Sequence, residues 1–119
     1  MPELKLGAVE SRFADIIWRH EPLHSRELVK LCEQELDWNR STTYTVLRRL
    51  CDRGIFKNEG SIVSSVLTRQ EYYAVQSELF VDETFDGSLP AFLTAFAQRK
   101  KLTEKEIDEL QRLIDENRR

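Results

Sequence analysis

The sequence predicts a mainly α-helical fold with one small β-hairpin. Apolar residues recur at the spacing of an amphipathic helix in six separate stretches. Two short β-prone runs flank a Glu59–Gly60 turn, and two T-x-x-E motifs have the pattern of capping boxes that begin helices. The 119 residues are 40% hydrophobic and 33% charged, which is typical of one globular domain with a small appendage.

Two amphipathic helices are predicted first. Residues 7–19 form one helix because four apolar residues fall on one face, namely Val9, Phe13, Ile16 and Ile17. The proline in HEPLHS ends this helix, and His24 or Ser25 caps the second one. The apolar stripe of the second helix consists of Leu28, Leu31, Cys32 and Leu36.

A third helix is predicted from the N-cap Asn39 to about Arg53, where Gly54 allows a left-handed C-cap. Its core face consists of Thr43, Val46, Leu47 and Leu50. The opposite face consists of Ser41, Thr45, Arg48 and Asp52, with Thr42, Tyr44 and Arg49 on its flanks. Because β-branched residues lower helix stability, threonines crowded beside arginines indicate a surface that contacts another molecule.

The runs IFKN and SIVSSVLT on either side of the Glu59–Gly60 turn predict the hairpin. Three helices followed by a hairpin, with a polar and basic outer face on the third helix, is the element order of a winged helix-turn-helix. Residues 1–70 are therefore predicted to form a winged-helix DNA-binding domain.

Residues 71–119 are predicted to form a helical dimerisation domain. Capping boxes at Thr68 and Thr103 begin two helices, and another begins near Ser88. Three short amphipathic helices have more apolar surface than they can bury among themselves, and a second identical chain would cover it. The residues predicted at this dimer interface are Tyr72, Leu79, Leu89, Phe92, Leu93, Phe96, Ile107, Leu110 and Ile114.

Positive charge is concentrated beside the hydroxyl groups of the third helix. The net charge of the chain is −3, but residues 1–69 sum to +1 and residues 70–119 to −4. From Arg40 to Lys57 there are five basic residues and a single acidic residue, Asp52. This local balance favours double-stranded DNA as a partner.

Two sets of DNA-contacting residues follow from position. Short hydroxyl side chains near a helix N-terminus suit base edges in the major groove, whereas basic side chains suit phosphates. The predicted base-contacting residues are Ser41, Thr42, Tyr44 and Thr45, and the predicted phosphate-contacting residues are Arg40, Arg48, Arg49 and Lys57. A second interpretation stays open, in which the winged helix serves protein assembly without binding DNA. The acidic total charge allows it.

Other classes of function have little support. No apolar run approaches the roughly 20 residues of a membrane span, and no signal peptide is evident, so a cytoplasmic protein without membrane insertion is expected. Cys32 and Cys51 are predicted core residues. His20 and His24 lack further ligands at a recognisable spacing, so no metal or cofactor is predicted. No catalytic arrangement of nucleophile and base is evident, so an enzyme is not expected.

Three parts of the sequence share a pattern with one known family. They are Leu6, Glu10 and Ile16–Ile17–Trp18 in the first helix; WNRSTTYTVLRRLCDRGIFK at residues 38–57; and SLPAFLTAF followed by LTEKEIDELQRLI. Together they resemble the penicillinase-repressor family of winged-helix transcriptional regulators, of the BlaI/MecI/CopY type. The resemblance implies a homodimeric repressor with interlocking C-terminal helices. It also implies a palindromic operator in a resistance or stress operon.

The resemblance also implies alternatives for induction. In the β-lactam-responsive branch, a membrane sensor-protease is the partner that signals, and the repressor is cut beside a Phe. The corresponding bond is Ala95–Phe96, although that branch usually has Asn before the Phe. The copper-responsive branch has a C-terminal cysteine cluster, whereas this chain has no cysteine after Cys51. The wing is short and has Lys57 as its only base, so it is expected to contribute weakly to DNA binding.

Overall fold

A computed structural model describes residues 5–119 of the chain. Within this range the chain forms six helices and one three-stranded sheet, which confirms the predicted fold class of a winged helix-turn-helix followed by a helical region. The elements in chain order are α1 (Ala8–His20), β1 (Leu23–His24), α2 (Ser25–Leu36), α3 (Arg40–Asp52), β2 (Phe56–Glu59), β3 (Ile62–Ser65), α4 (Arg69–Phe85), α5 (Leu89–Arg99) and α6 (Glu104–Asn117).

The sheet is antiparallel, with the strands in the order β1–β3–β2. The hairpin turn lies one residue later than predicted, at Gly60 and Ser61, because Glu59 still pairs with Ile62. Both turn residues have positive φ, 58° and 66°, which is typical of the tight turn whose twist matches that of the strands. The two residues of β1 are too few for a periodic pattern, and no sequence signal predicts this strand.

The core of the winged helix lies between the first three helices and the sheet. The predicted core face of α3 is confirmed, since Thr43, Val46, Leu47 and Leu50 are all buried. In α1, Phe13, Ile16 and Ile17 are buried as predicted. Val9, which the periodicity places on the same face, lies in the first turn of α1 and is 53% exposed.

The described chain divides into two compact units, one up to Ser77 and one from Glu78 onward. The predicted boundary between residues 70 and 71 lies seven residues earlier. The first unit extends further because Tyr72 belongs to its core. The hydroxyl oxygen of Tyr72 accepts the N–H of Leu6 at 3.0 Å, and its ring lies 5.5 Å from that of Trp18. The first two turns of α4 are therefore part of the winged-helix unit.

The second unit contains the end of α4 together with α5 and α6. Its helices begin where the sequence predicts: Ser88 Oγ accepts the N–H of Ala91 at 3.1 Å, and Thr103 and Glu106 form a reciprocal capping box. Four phenylalanine rings contact one another in this unit, namely Phe80, Phe85, Phe92 and Phe96. No residue from 78 to 119 is fully buried in the single chain. None of the helices between residues 5 and 119 has the length and apolar character needed to span a membrane.

Candidate nucleic-acid interface

The N-terminus of α3 is fixed by a side-chain cap. Asn39 Oδ1 accepts the N–H of Thr42 at 2.8 Å, as the sequence predicts for this position. Thr43 points into the core, and its hydroxyl donates to the carbonyl of Asn39 at 3.3 Å. The cap and the buried face together determine which side chains of α3 remain on its outer face.

Ser41 and Thr45 lie exposed on the outer face of α3, one turn apart, while Thr42 is half-buried on its flank. The Thr45 hydroxyl donates to the Ser41 carbonyl at 2.9 Å. Its hydrogen is therefore engaged within the helix, while its oxygen lone pairs and its methyl group remain free for an external partner.

Tyr44 ties α3 to α2. Its hydroxyl donates to Ser25 Oγ at 3.2 Å, and the guanidinium carbon of Arg40 lies 5.6 Å from the centre of its ring. The cation–π distance is within the range at which such pairs attract. Tyr44 is half-buried, so its main visible contacts hold the two helices of the helix-turn-helix together and support the Arg40 side chain.

The predicted basic residues fall into two groups. Within residues 5–119, neither Arg40 nor Arg48 forms an ion pair, and both are exposed. By contrast, Arg49 Nη1 lies 3.4 Å from a carboxylate oxygen of Glu10 in α1, and Lys57 Nζ lies 3.3 Å from Glu59 in the wing.

The free basic and hydroxyl side chains share one open surface groove. This groove has a volume of about 530 Å³ and is lined by Arg40, Ser41, Tyr44, Thr45 and Arg48. It therefore brings together three of the four predicted base-contacting residues and two of the four predicted phosphate-contacting residues. Thr42, Arg49 and Lys57 lie outside it.

The predicted dimer-interface residues are distributed unevenly. Tyr72 is only 5% exposed and stabilises the core of the first unit. In the second unit Leu89, Phe96, Ile107 and Ile114 are exposed, and Leu79, Phe92, Leu93 and Leu110 are half-buried. A groove of about 370 Å³ is lined by apolar residues from α5, α6 and the segment between them, together with Glu106 and Glu109. An apolar surface of this kind on such short helices is typical of an interface.

The predicted cleavage site lies within a helix. Ala95 and Phe96 lie exposed within α5, so a protease that binds extended substrates would have to unfold part of this helix. Cleavage at this bond stays a prediction.

Cys32 is buried as predicted, and burial raises the pKa of its thiol to about 11, so the thiol is neutral at pH 7. Cys51 is half-buried.

The sequence pattern does not indicate two of the contacts in this region, namely Glu10 with Arg49 and Ser25 with Tyr44. Glu10 lies 39 positions before Arg49, and Ser25 lies 19 positions before Tyr44, so both contacts depend on tertiary structure. Helical periodicity indicates which face of α3 is exposed. It does not indicate which neighbouring side chains reach that face.

Three helices, a hairpin wing and a third helix with exposed hydroxyl and basic groups define this chain as a winged helix-turn-helix protein. The sequence pattern of the family described as penicillinase repressor matches residues 6–116. The chain therefore belongs to the penicillinase repressor family, which confirms the resemblance. Membership supports a role as a transcriptional repressor.

Similarity to individual relatives is low but extends over nearly the whole chain. The penicillinase repressor of Bacillus licheniformis is 24% identical, over 96% of this chain and 92% of that protein. The methicillin resistance regulatory protein MecI of Staphylococcus epidermidis is 20% identical, over 93% and 94% of the two chains. The penicillinase repressor of Staphylococcus aureus is 21% identical, over 96% and 94%.

Proposed function

We propose that this chain represses transcription as a cytoplasmic homodimer that binds a palindromic operator through the outer face of α3. The observation that carries this proposal is the groove on α3, where exposed hydroxyl groups lie between two arginines that have no carboxylate partner within residues 5–119. An α-helix fits the major groove of DNA, and hydroxyl and arginine side chains suit base edges and phosphates respectively.

Base contacts are assigned to the N-terminal half of α3. Ser41 and Thr45 are exposed there, and Thr42 is accessible on the flank. Because the hydrogen of the Thr45 hydroxyl is engaged with the Ser41 carbonyl, its oxygen would accept from an exocyclic amino group of adenine or cytosine. Its methyl group would contact the methyl of thymine. Tyr44 would act mainly by holding Arg40 and α2 in place.

Phosphate contacts are assigned to Arg40 and Arg48. Each phosphate that a basic side chain neutralises releases condensed counterions. These contacts therefore increase the affinity for every DNA sequence and make that affinity dependent on salt. Arg49 and Lys57 already pair with carboxylates, which reduces what they can contribute. The wing thus adds little, in line with its short and nearly uncharged sequence.

The second unit supplies the proposed dimer interface. Fixing a residue in a folded backbone costs about 1–2 kcal/mol, and a unit without a single buried residue gains little to offset that cost. A second copy packed on Leu79, the apolar residues of α5 and the apolar stripe of α6 would provide the missing burial. A dimer would also present two copies of α3 to two half-sites of a palindrome.

Two substitutions in the groove test the assigned roles. Arg48→Ala should weaken binding to all duplexes and reduce the slope of log affinity against log salt by about 1.8 for a dimer, because two phosphate contacts are lost. Thr45→Val keeps the size of the side chain but removes the hydroxyl. It should change the preference among operator variants while leaving the salt slope unchanged.

Fluorescence anisotropy with operator and scrambled duplexes across a salt series provides both readouts. Lys105→Ala, at an exposed position of α6 outside the groove, removes the same positive charge and is the control for the change in net charge. If Arg48→Ala and Thr45→Val have the same effect on every duplex, the division of roles is contradicted. If the unaltered protein binds operator and scrambled DNA equally weakly, the chain is instead a winged-helix module for protein assembly.

A further inference from the structure

A carboxylate from α1 lies against the two arginines at the C-terminal end of α3. Glu10 Oε2 is 3.4 Å from Arg49 Nη1, and Glu10 Oε1 is 3.4 Å from Arg53 Nη1. The Glu10 side chain is only 18% exposed, and its Oε1 also accepts the N–H of Gly7 at 3.3 Å. Glu10 is therefore held in place by the first turn of its own helix while it contacts α3.

Glu10 is ionised at neutral pH. Partial burial acts to raise its pKa, but the hydrogen bond from Gly7 and the charges of Arg53 and Arg49 outweigh burial and lower the pKa. One negative charge thus lies between two positive charges at an end of α3 that the sequence alone presents as strongly basic. The arginines of α3 and its C-cap are of two kinds: Arg40 and Arg48 lack a carboxylate within residues 5–119, whereas Arg49 and Arg53 share one.

We propose that Glu10 restrains DNA binding by competing with phosphates for Arg49 and Arg53. A phosphate that approaches either guanidinium must displace this carboxylate or lie beside it, and both alternatives weaken the contact. Non-specific affinity comes almost entirely from phosphate contacts, so Glu10 would lower the affinity for duplexes of any sequence. This inference rests on the proposed DNA binding and adds to it a residue outside the recognition helix.

Glu10→Gln is the most direct test, because glutamine removes the charge and keeps an oxygen that can accept the Gly7 N–H. For a scrambled duplex, the affinity should rise on the order of tenfold, since one surface ion-pair partner is lost in each half of a dimer. The slope of log affinity against log salt should steepen by about 1.8, equivalent to one new phosphate contact in each protomer.

Asp15→Asn provides a matched control on the same helix. Asp15 also bridges two arginines, Arg19 at 2.9 Å and Arg69, but neither belongs to α3. This variant has the same change in net charge and should alter the affinity and the salt slope much less than Glu10→Gln. Equal effects of the two variants would show that only net charge matters, and the inference would be overturned.

Arg49→Gln tests the same inference without altering Glu10, so the test does not depend on how Glu10→Gln folds. If Glu10 already occupies Arg49, this variant should leave the salt slope for the scrambled duplex unchanged, whereas Arg48→Gln should reduce it. A reduction by Arg49→Gln as large as that by Arg48→Gln would contradict the inference. Failure of the unaltered protein to bind any duplex at low salt would instead contradict the proposed function itself.

Discussion

Leu50 and Val9 are both predicted on the apolar face of a helix, yet their surroundings differ completely. Leu50 faces the core from α3 and is fully buried, whereas Val9 lies exposed at the start of α1. Removal of buried methyl groups loses both the transfer free energy and the packing around the cavity that remains. The buried face of α3, with Thr43, Val46, Leu47 and Leu50, packs α3 against the rest of the winged helix. The position of α3 therefore depends on these buried side chains more than on its outer face.

Leu50→Ala should lower the free energy of unfolding of the winged-helix unit by about 2–5 kcal/mol. Val9→Ala should change it by less than about 0.5 kcal/mol, because an exposed side chain loses little on truncation. Urea unfolding followed by tryptophan fluorescence measures this, since Trp18 and Trp38 both belong to this unit. Similar small losses for both variants would contradict the assigned core.

At single residues, the sequence predicts what depends on periodicity and misses what depends on tertiary contact. The buried face of α3 follows from the 3.6-residue repeat, and the structure confirms each of its members. Periodicity places Val9 on the same face as Phe13, but a helical pattern does not show which members of a face other elements cover, and Val9 is 53% exposed. Nor could periodicity find the pairing of Glu10 with Arg49, since these residues are 39 positions apart.

Five of the six helices between residues 5 and 119 begin at a side-chain cap, and α1, which follows Gly7, is the exception. This explains why most of the helix starts are predictable from the sequence. Asn39, Ser88 and Thr103 each accept a backbone N–H of the first turn that would otherwise lack a partner. The His24 alternative is also confirmed, since its Nδ1 accepts the N–H of Arg26 at 3.1 Å. Strand β1 was not predictable because two residues pair only through the register that β3 provides.

The capping box of α6 should make this helix sensitive to acid. The carboxylate of Glu106 is hydrogen-bonded by the backbone N–H and the hydroxyl of Thr103. These hydrogen bonds lower the pKa of Glu106 below its usual 4.5. A carboxyl with a lowered pKa in the folded state contributes stability above its unfolded pKa, and this is lost as pH falls through the folded value. Helicity measured by circular dichroism should therefore decrease from pH 4.5 downward.

Glu106→Gln should reduce this acid dependence, because an amide can occupy the same position in the box without titrating. Glu109→Gln, an exposed position in the same helix, is the matched control and should retain the acid dependence. An unchanged pH profile for Glu106→Gln would contradict a role of the ionised carboxylate in capping α6.

On the scale of the whole molecule, the two units differ in how much apolar surface each buries within a single chain. The winged-helix unit buries a continuous core, to which even Tyr72 of α4 contributes, whereas the second unit has no buried residue in a single chain. The sequence predicted this contrast from the excess of apolar helical surface after residue 70. It did not predict that the first unit extends to Ser77, because the packing of Tyr72 on Trp18 is a tertiary contact.

Footprinting of the full chain on DNA upstream of its own gene, with residues 1–77 alone as the comparison, is the measurement that tests the central claim most directly. The full chain should protect two half-sites related by two-fold symmetry, about one helical turn or a multiple of it apart. Residues 1–77 retain the winged-helix core but lack the proposed interface. They should be monomeric and bind on the order of 100-fold more weakly, since the second half-site no longer adds to affinity.

The result would contradict the account if the full chain protected a single half-site or protected scrambled DNA equally well. Equally tight binding by residues 1–77 as a monomer would contradict the role of the second unit. Two symmetric half-sites that require residues 78–119 would establish a dimeric operator-binding repressor.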